Sequence, residues 1–524
     1  MTPDHSPAAG ARWARVLAVA AVVAAALAAL LFLVTAHQRL HDPFELDRME
    51  SAMMTSVWRI TQGKPLYGPP TLDWVPFLYA PLFFYVSAWM TKITGVGYAA
   101  LRMVSILSTL GTAALIVLIV AQETRRHGPP EETRFAPTCA AIASAGIYLS
   151  LYGWVFGWYD VGRVDALSVF FFVLALYLMR FAPAPLATVA WVLAFQTKQE
   201  FLPLALLAYL AEWRTPRRML LNMGTYLLLA WASIHLCQRL SGSWYRWYVF
   251  GTIKQLGASH RLAYLYLPFD VVQPMAAALI VCALAVLLVR VSWLQPRAFF
   301  YLWMTVLIVG CIGFARGHEG SNLNAVMPVY ALLAILTGLS AALLLRSQAA
   351  PALGCCVWLA LLAQMAAHLY QPAEFVPTAV TLATREDFLD RLRQTPGDVW
   401  LTNHSYDSVL AGKPPHAELD ALDAALDRSP QLQNEVRQTL AARHFTAIFL
   451  DRAPTSYSPE WLFHAPPFTT AYAGTHLAPD SQADTSLDQP VYLYVPCNTP
   501  PEVSAALDLA HGYAQAGDCP ATSR

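Results

Sequence analysis

The feature that most limits what this chain can fold into is the spacing of its apolar residues. They come in blocks of roughly 20, the length that crosses the hydrocarbon core of a bilayer. Eleven such blocks can be drawn, at about 15–36, 100–121, 137–153, 164–180, 184–197, 199–212, 219–238, 271–290, 298–315, 325–345 and 352–370. Only 13% of the 524 residues are charged, about half the usual share for a soluble protein. A soluble chain built from these blocks would need many buried helices with almost no polar face. The expected fold is therefore an α-helical polytopic membrane protein. Val16 to Val34 is longer than a signal-peptide core, and no convincing small-residue cleavage site follows it. It is read as a retained first span.

Arginines in the short connections set the expected orientation. With Arg12 and Arg15 in the cytoplasm, so are Arg125, Arg126, Arg134, Arg180, Arg214, Arg217, Arg218, Arg290, Arg297 and Arg346. The stretch from Phe77 to Met90 is short and broken by Pro81, so it is expected to lie in the interface with its aromatics at headgroup depth. The expected organisation is a transmembrane domain over 1–370, with outer loops at 37–99 and 239–270, and a C-terminal α/β domain over 371–524. An odd number of spans puts that domain outside, in the periplasm of a cell with an inner membrane. Its expected elements are strands at 399–402, 447–450 and 491–495 and a helix over 420–443. Six cysteines fall in or beside apolar segments without metal-ligand spacing, while Cys497 and Cys519 lie in the tail and could pair there. A net charge of zero leaves no basic face for nucleic acid.

Candidate chemistry gathers in the turns on the outer side. The first loop opens with Asp42, Glu45, Asp47 and Glu50, and the last two are spaced to share a helix face. Taken alone, such acids are more often caps and solvated loop starts. The next outer turn holds Asp160, Arg163 and Asp165, with Asp165 entering the apolar helix, where an ionised group is costly unless it is used or paired. A third holds Lys198 between Gln196 and Glu200, and a fourth holds Arg316, His318 and Glu319. Their convergence on one face is the signal. Carboxylates can take a proton from an acceptor hydroxyl, and lysine or arginine can hold a phosphate leaving group.

The order of these motifs resembles the GT-C superfamily, in particular its family-39-like branch of lipid A aminoarabinose transferases and protein O-mannosyltransferases. The first-loop acids are followed by a helix ending in QGKPLY, then APLFFY, LRMVSILSTLGT, GRVDALSVFFFVLALYLMR and FQTKQEFLPLALLAYL. GHEGSNLNAVMPVYALLAIL and the tail stretch VWLTNHSYDSVLAGKPP resemble parts of related bacterial proteins. The resemblance implies an inverting transfer of sugar from a polyprenyl-phosphate donor to a glycan, lipid or protein acceptor. It assigns base or metal-holding duty to Asp47, with Glu50 as the alternative because Asp47 and Glu50 are separated here where the family has adjacent Asp-Glu. Asp165 matches the second-turn acid and Lys198 the lysine that contacts donor phosphate. Arg316 and His318 match by position only, with Asp160, Arg163 and Glu319 supporting. A divalent metal, Mg or Mn, could be shared by Asp47 and Asp165, although some relatives need none. The competing readings are a lipid-linked-sugar flippase or transporter and a non-catalytic assembly protein. The absence of an internal inverted repeat speaks against the transporter.

Overall fold

The computed structural model describes residues 7–126, 134–251, 259–289, 295–318, 321–346, 351–451, 471–476 and 492–497. Among them the chain is a bundle of apolar helices: α1 (Pro7–Leu40), α4 (Tyr98–Arg126), α5 (Phe135–Ser150), α6 (Val164–Phe181), α7 (Ala184–Thr197), α8 (Phe201–Ala208), α9 (Pro216–Leu240), α10 (Ala276–Val289), α11 (Pro296–Arg316), α12 (Met327–Arg346) and α13 (Pro351–Ala366). The first loop contributes α2 (Arg48–Thr61) and α3 (Leu82–Thr94). Prolines open several of these helices, at Pro216, Pro296 and Pro351, where the missing N–H has no intrahelical partner to lose.

Six of the helices are long and apolar enough to cross a membrane: α1, α4, α6, α9, α11 and the stretch containing α12. A seventh candidate is α10 joined to the helical stretch His260–Val272, which meets it at a 77° bend. Four shorter apolar helices, α5, α7, α8 with its continuation to Glu212, and α13, fall at the other expected spans. The chain is thus a polytopic helical membrane protein. Its inside-out patterning agrees. Helix α1 turns Ala18, Ala21, Ala25 and Ala28 inward and leaves Val16, Val19, Val23, Leu27 and Leu30 exposed. Small residues at the helix contact and large aliphatics outside are what lipid allows, since lipid tails are as apolar as leucine. Gly146 of α5 lies against this alanine stripe, where a Cβ would sit 2.4 Å from that of Ala25.

The Phe77–Met90 stretch is not among the helices long and apolar enough to cross a membrane. Helix formation starts only after Pro81, and the 13-residue α3 is too short to cross. It buries Phe83 and Phe84 and exposes Tyr85, Trp89 and Ile93, as an interfacial helix would.

The tail contains α14 (Ala379–Gln394), β1 (Asp398–Leu401), α15 (Ser405–Leu410), α16 (Leu419–Leu426), α17 (Pro430–Ala441), β2 (Phe445–Leu450), β3 (Tyr472–His476) and β4 (Tyr492–Pro496). The strands form one sheet in the order β1-β2-β4-β3. β1 and β2 run parallel, joined across α15 to α17, and the other pairs are antiparallel. Three strands match the expected segments and β3 is additional. The single helix expected over 420–443 is two, because Pro430 has no N–H to continue α16 and the Ser429 side chain caps α17 by accepting from the Leu432 N–H. Cys497 is disulfide-bonded. Cys519 lies outside the described residues, as does Glu319.

Candidate active site

Hydrogen bonds fix one end of the bundle as a meeting point. The C-terminal end of α1, the N-terminal end of α6, the C-terminal end of α7 and the segment leading into α12 all arrive there. Asp47 starts the site as the N-cap of α2, its Oδ1 accepting from the Met49 N–H. The same oxygen accepts from Arg163 at 2.7 Å, and Oδ2 accepts from the Trp158 indole at 3.2 Å. Arg163 also reaches Asp165 Oδ2 at 3.3 Å. Asp165 Oδ1 is 3.0 Å from Lys198 Nζ and accepts from Asn324 at 3.0 Å. Lys198 in turn lies 3.2 Å from Glu200.

Five charges therefore alternate in sign: Asp47, Arg163, Asp165, Lys198 and Glu200. Asp165 and Arg163 are buried, whereas the side chains of Asp47 and Glu200 at the two ends are about one-fifth exposed. Each buried charge has opposite neighbours on both sides, which is the condition for keeping it ionised out of water. Gln199 anchors the lysine turn to the first loop by donating to the Leu78 carbonyl.

The other expected residues have different surroundings. Glu50 is fully buried. It takes two bonds from Arg102 and one each from the N–H groups of Gly162 and Leu46. Asp160 is held by Arg39 and Tyr152. Arg316 pairs with Asp270 at 2.8 Å and donates to the Ser321 carbonyl, and His318 Nδ1 lies 3.0 Å from the Phe314 carbonyl. Asp47 and Asp165 do not present a metal site in this arrangement. One guanidinium bridges them, its two nitrogens on the two carboxylates, so an ion between them would have to displace Arg163.

Sequence reasoning passed over Trp158, Asn324, Arg102 and Arg39. Asn324 stood inside a quoted motif, GHEGSNLNAV, and a polar side chain at the start of an apolar helix was the available signal. At the opposite end of the bundle Glu123 gathers Arg180, Arg297 and Tyr301, and Arg346 donates to the Thr124 carbonyl. Arg125, Arg134, Arg180, Arg297 and Arg346 therefore share one end, away from Asp47.

The tail closes over the first loop. The Thr55 hydroxyl bonds that of Ser405, Tyr406 N–H donates to Ser51, and Arg385 donates to the Glu45 carbonyl. Behind Ser405, burial pushes the Glu418 carboxyl up to about 8, and burial beside Glu45 pushes that of Asp407 up to about 7.

A second tie is His416, whose Nδ1 and Nε2 lie 3.0 Å from Asp73 and Asp398. Both ring nitrogens face carboxylate oxygens, so both must donate and the ring is an imidazolium. Burial opposes that charge, but the two acids raise the His416 pKa above its usual value. The bond from His416 holds Asp73 below the usual carboxylate range. His444 also faces Asp398, at 3.0 Å, so one acid serves two rings. Because the histidine's folded pKa is raised, its contribution is complete below about pH 6.5 and is lost as pH rises through the folded value. Thermal stability in detergent is expected to fall as pH rises above about 6.5. His416→Asn should flatten that slope; an unchanged slope in the variant would assign it elsewhere.

With this geometry in view, similarity searches place the chain. No family model matches it, and no curated protein matches its sequence. Among solved structures, ArnT from Cupriavidus metallidurans bound to undecaprenyl phosphate superposes with a TM-score of 0.58 at 14% identity, covering 90% of this chain and 97% of that one. The apo form of the same ArnT gives 0.54 at 12%, covering 93% and 98%. The oligosaccharyltransferase AglB from Archaeoglobus fulgidus, in complex with an inhibitory peptide and a dolichol-phosphate, gives 0.50 at 11%, covering 94% and 77%. The chain has the GT-C fold. With 90–94% of the chain covered, the GT-C resemblance seen in the motifs extends to the fold. In this GT-C chain the ladder from Asp47 to Glu200 is built from loops at one end of the bundle.

Proposed function

We propose that this protein is an inverting glycosyltransferase that moves a sugar from a polyprenyl-phosphate donor to a hydroxyl of a cell-envelope acceptor. The observation that carries this reading is the alternating ladder on a GT-C fold, with a partly exposed carboxylate at one end and a lysine further along. Gathering of the arginine-rich connections at the opposite end supports a site on the outer face of an inner membrane, with the N-terminus cytoplasmic.

The chemistry asked of these residues is limited. Asp47, oriented by Arg163, Trp158 and the Met49 N–H, accepts the proton of the acceptor hydroxyl as its oxygen attacks the anomeric carbon. The bond from that carbon to the phosphate oxygen breaks, and its electron pair leaves with the polyprenyl phosphate. Lys198 faces that growing charge with a preformed positive group, the kind of stabilisation that acts mainly on the transition state. Asp165 holds Lys198 and Arg163 at a fixed spacing, and Asn324 holds Asp165. Glu50 positions the start of α2 and exchanges no proton with substrate, because all its bonds are internal.

The test is sugar transfer by purified protein in liposomes, using a panel of polyprenyl-phosphate sugars and crude cell-envelope acceptors. One donor should turn over, and Lys198→Met should raise its KM or lower kcat by at least ~10-fold. Folded protein that turns over no donor with any acceptor would overturn the transferase. Movement of the lipid-linked sugar across the bilayer with its phosphate bond intact would replace it with a flippase.

A further inference from the structure

Outside the ladder, three residues from distant parts of the chain converge at the seam between the first loop and the tail. Glu45 lies two residues before Asp47, and His404 and Asp407 lie at the start of α15. One ligand-capable atom from each is within 4.8 Å of the other two. All three residues are buried, at 2%, 2% and 7% exposure.

Asp407 is the informative member. Its Oδ1 is out of water and has no hydrogen-bond partner. Leaving a buried acceptor unmade is expensive, the more so for a carboxylate. The arrangement therefore holds an unused acceptor on a residue that adjoins Glu45 and His404. The histidine is already oriented for the missing group. Its Nε2 lies 2.8 Å from Asp451 Oδ1, and Asn403 fixes Asp451 Oδ2 at 2.9 Å. A carboxylate behind the ring is how ligating imidazoles are usually held, with the opposite nitrogen free for the metal. Here that nitrogen, Nδ1, is hydrogen-bonded to Glu45 Oε1, the next acid of the cluster.

The surroundings are rich in carboxylates. Glu45, Asp407 and Asp451 lie around His404, and the Arg385 guanidinium is 3.9 Å from Glu45. The neighbouring Glu418 is spoken for by the Ser405 N–H and hydroxyl. Both ring nitrogens of His404 face carboxylates, so without a metal the ring is an imidazolium, and a divalent ion would take the place of its Nδ1 proton. Distances are compatible as well. Ligands about 2.1 Å from one ion lie up to ~4.2 Å apart, so Asp407 would have to move in by about half an ångström and the His404–Glu45 pair would have to part to admit the ion.

We propose that Glu45, His404 and Asp407 bind a divalent transition-metal cation, Zn2+ or Mn2+, that clamps the tail to the loop carrying Asp47. One imidazole and two carboxylates form a donor set suited to such ions. The fourth position is left to water. This site is separate from Asp47 and Asp165 and does not depend on which reaction the ladder performs.

Full-length protein in detergent, stripped with EDTA, would be titrated with Zn2+ and separately with Mn2+, following bound metal and Tm. One equivalent of one ion should bind and raise Tm. Asp407→Asn should weaken that binding at least ~10-fold and abolish the Tm gain. Because asparagine removes an unpaired buried charge without changing shape, the stripped variant should be no less stable than stripped wild type. His404→Gln gives the same reading should Asp407→Asn accumulate poorly. Asp47→Asn should bind the ion as wild type does. Failure of wild type to bind either ion at 100 μM, or unchanged binding in both seam variants, would overturn the proposal.

Discussion

Asp47→Asn is expected to lower sugar transfer by ~10²–10⁴-fold, the usual loss when a general base is removed, with little change in thermal stability. The two halves of that result have separate physical origins. Asparagine caps a helix as well as aspartate does. Its side-chain oxygen can still accept from the Met49 N–H and from Arg163, and only the bond from the Trp158 indole is given up. Arg163 keeps its contact with Asp165, so no buried cation is stranded. What asparagine cannot do is accept a proton. Asp47→Ala should lose the same activity and, in addition, about 0.5–2 kcal/mol from the lost cap. Equal transfer rates for Asp47→Asn and wild type would remove Asp47 from the chemistry and leave only its capping role.

Arg102→Leu should have the largest effect on folding. The Arg102 guanidinium sits on Glu50 through two bonds, and it also donates to the carbonyls of Arg39, Asp42 and Phe44. Removing it leaves a fully buried carboxylate and three carbonyls, including one at the C-terminal end of α1, short of their partner. Breaking one side of a buried pair costs about 3–5 kcal/mol, comparable to the whole stability of many domains. The variant should yield little monodisperse protein in detergent, with a sharply lowered Tm in what remains. Arg102→Lys should rescue only part of the loss, since an ammonium cannot reproduce the planar fork. The double variant Arg102→Leu with Glu50→Leu should recover stability relative to Arg102→Leu alone, because the uncompensated charge is gone. A Tm near wild type for Arg102→Leu would show that the pair contributes nothing net.

These two carboxylates show where the sequence was informative and where it was not. Asp47 and Glu50 stand three apart on one helix, and nothing local distinguishes them. Their difference comes from Arg102 and Gly162, 52 and 112 residues away. Apolar blocks were legible because a span is a local property, about 20 residues read in one window. Asp165 and Lys198 were legible because a charge at the edge of an apolar block has few explanations, and the ladder brings them together. Arg316 obeyed the same rule yet went to Asp270, 46 residues earlier. Charge and position at a helix end state that a partner is needed without naming it. The break at Ser429-Pro430 was written in the sequence and outweighed by the amphipathic pattern on either side. Glu45 stood among the first-loop acids and His404 and Asp407 inside the quoted tail stretch, but nothing pointed to their meeting, which depends on how a sheet-bearing tail seats on a loop made hundreds of residues before it.

That seating has a consequence for how the protein is made. Thr55 and Ser405 are 350 positions apart, Ser51 and Tyr406 355, and Glu45 and His404 359. At ~5–20 residues per second, the interval between their synthesis is on the order of 20–70 s. For that time α2 has left the ribosome while the polar groups on its tail-facing side await partners that do not yet exist. Every helix of the bundle after α1 must be inserted in between. The first loop is thus among the earliest parts of the chain to emerge and among the last to settle, and a nascent chain arrested before residue 400 would carry Asp47 on an unfinished surface.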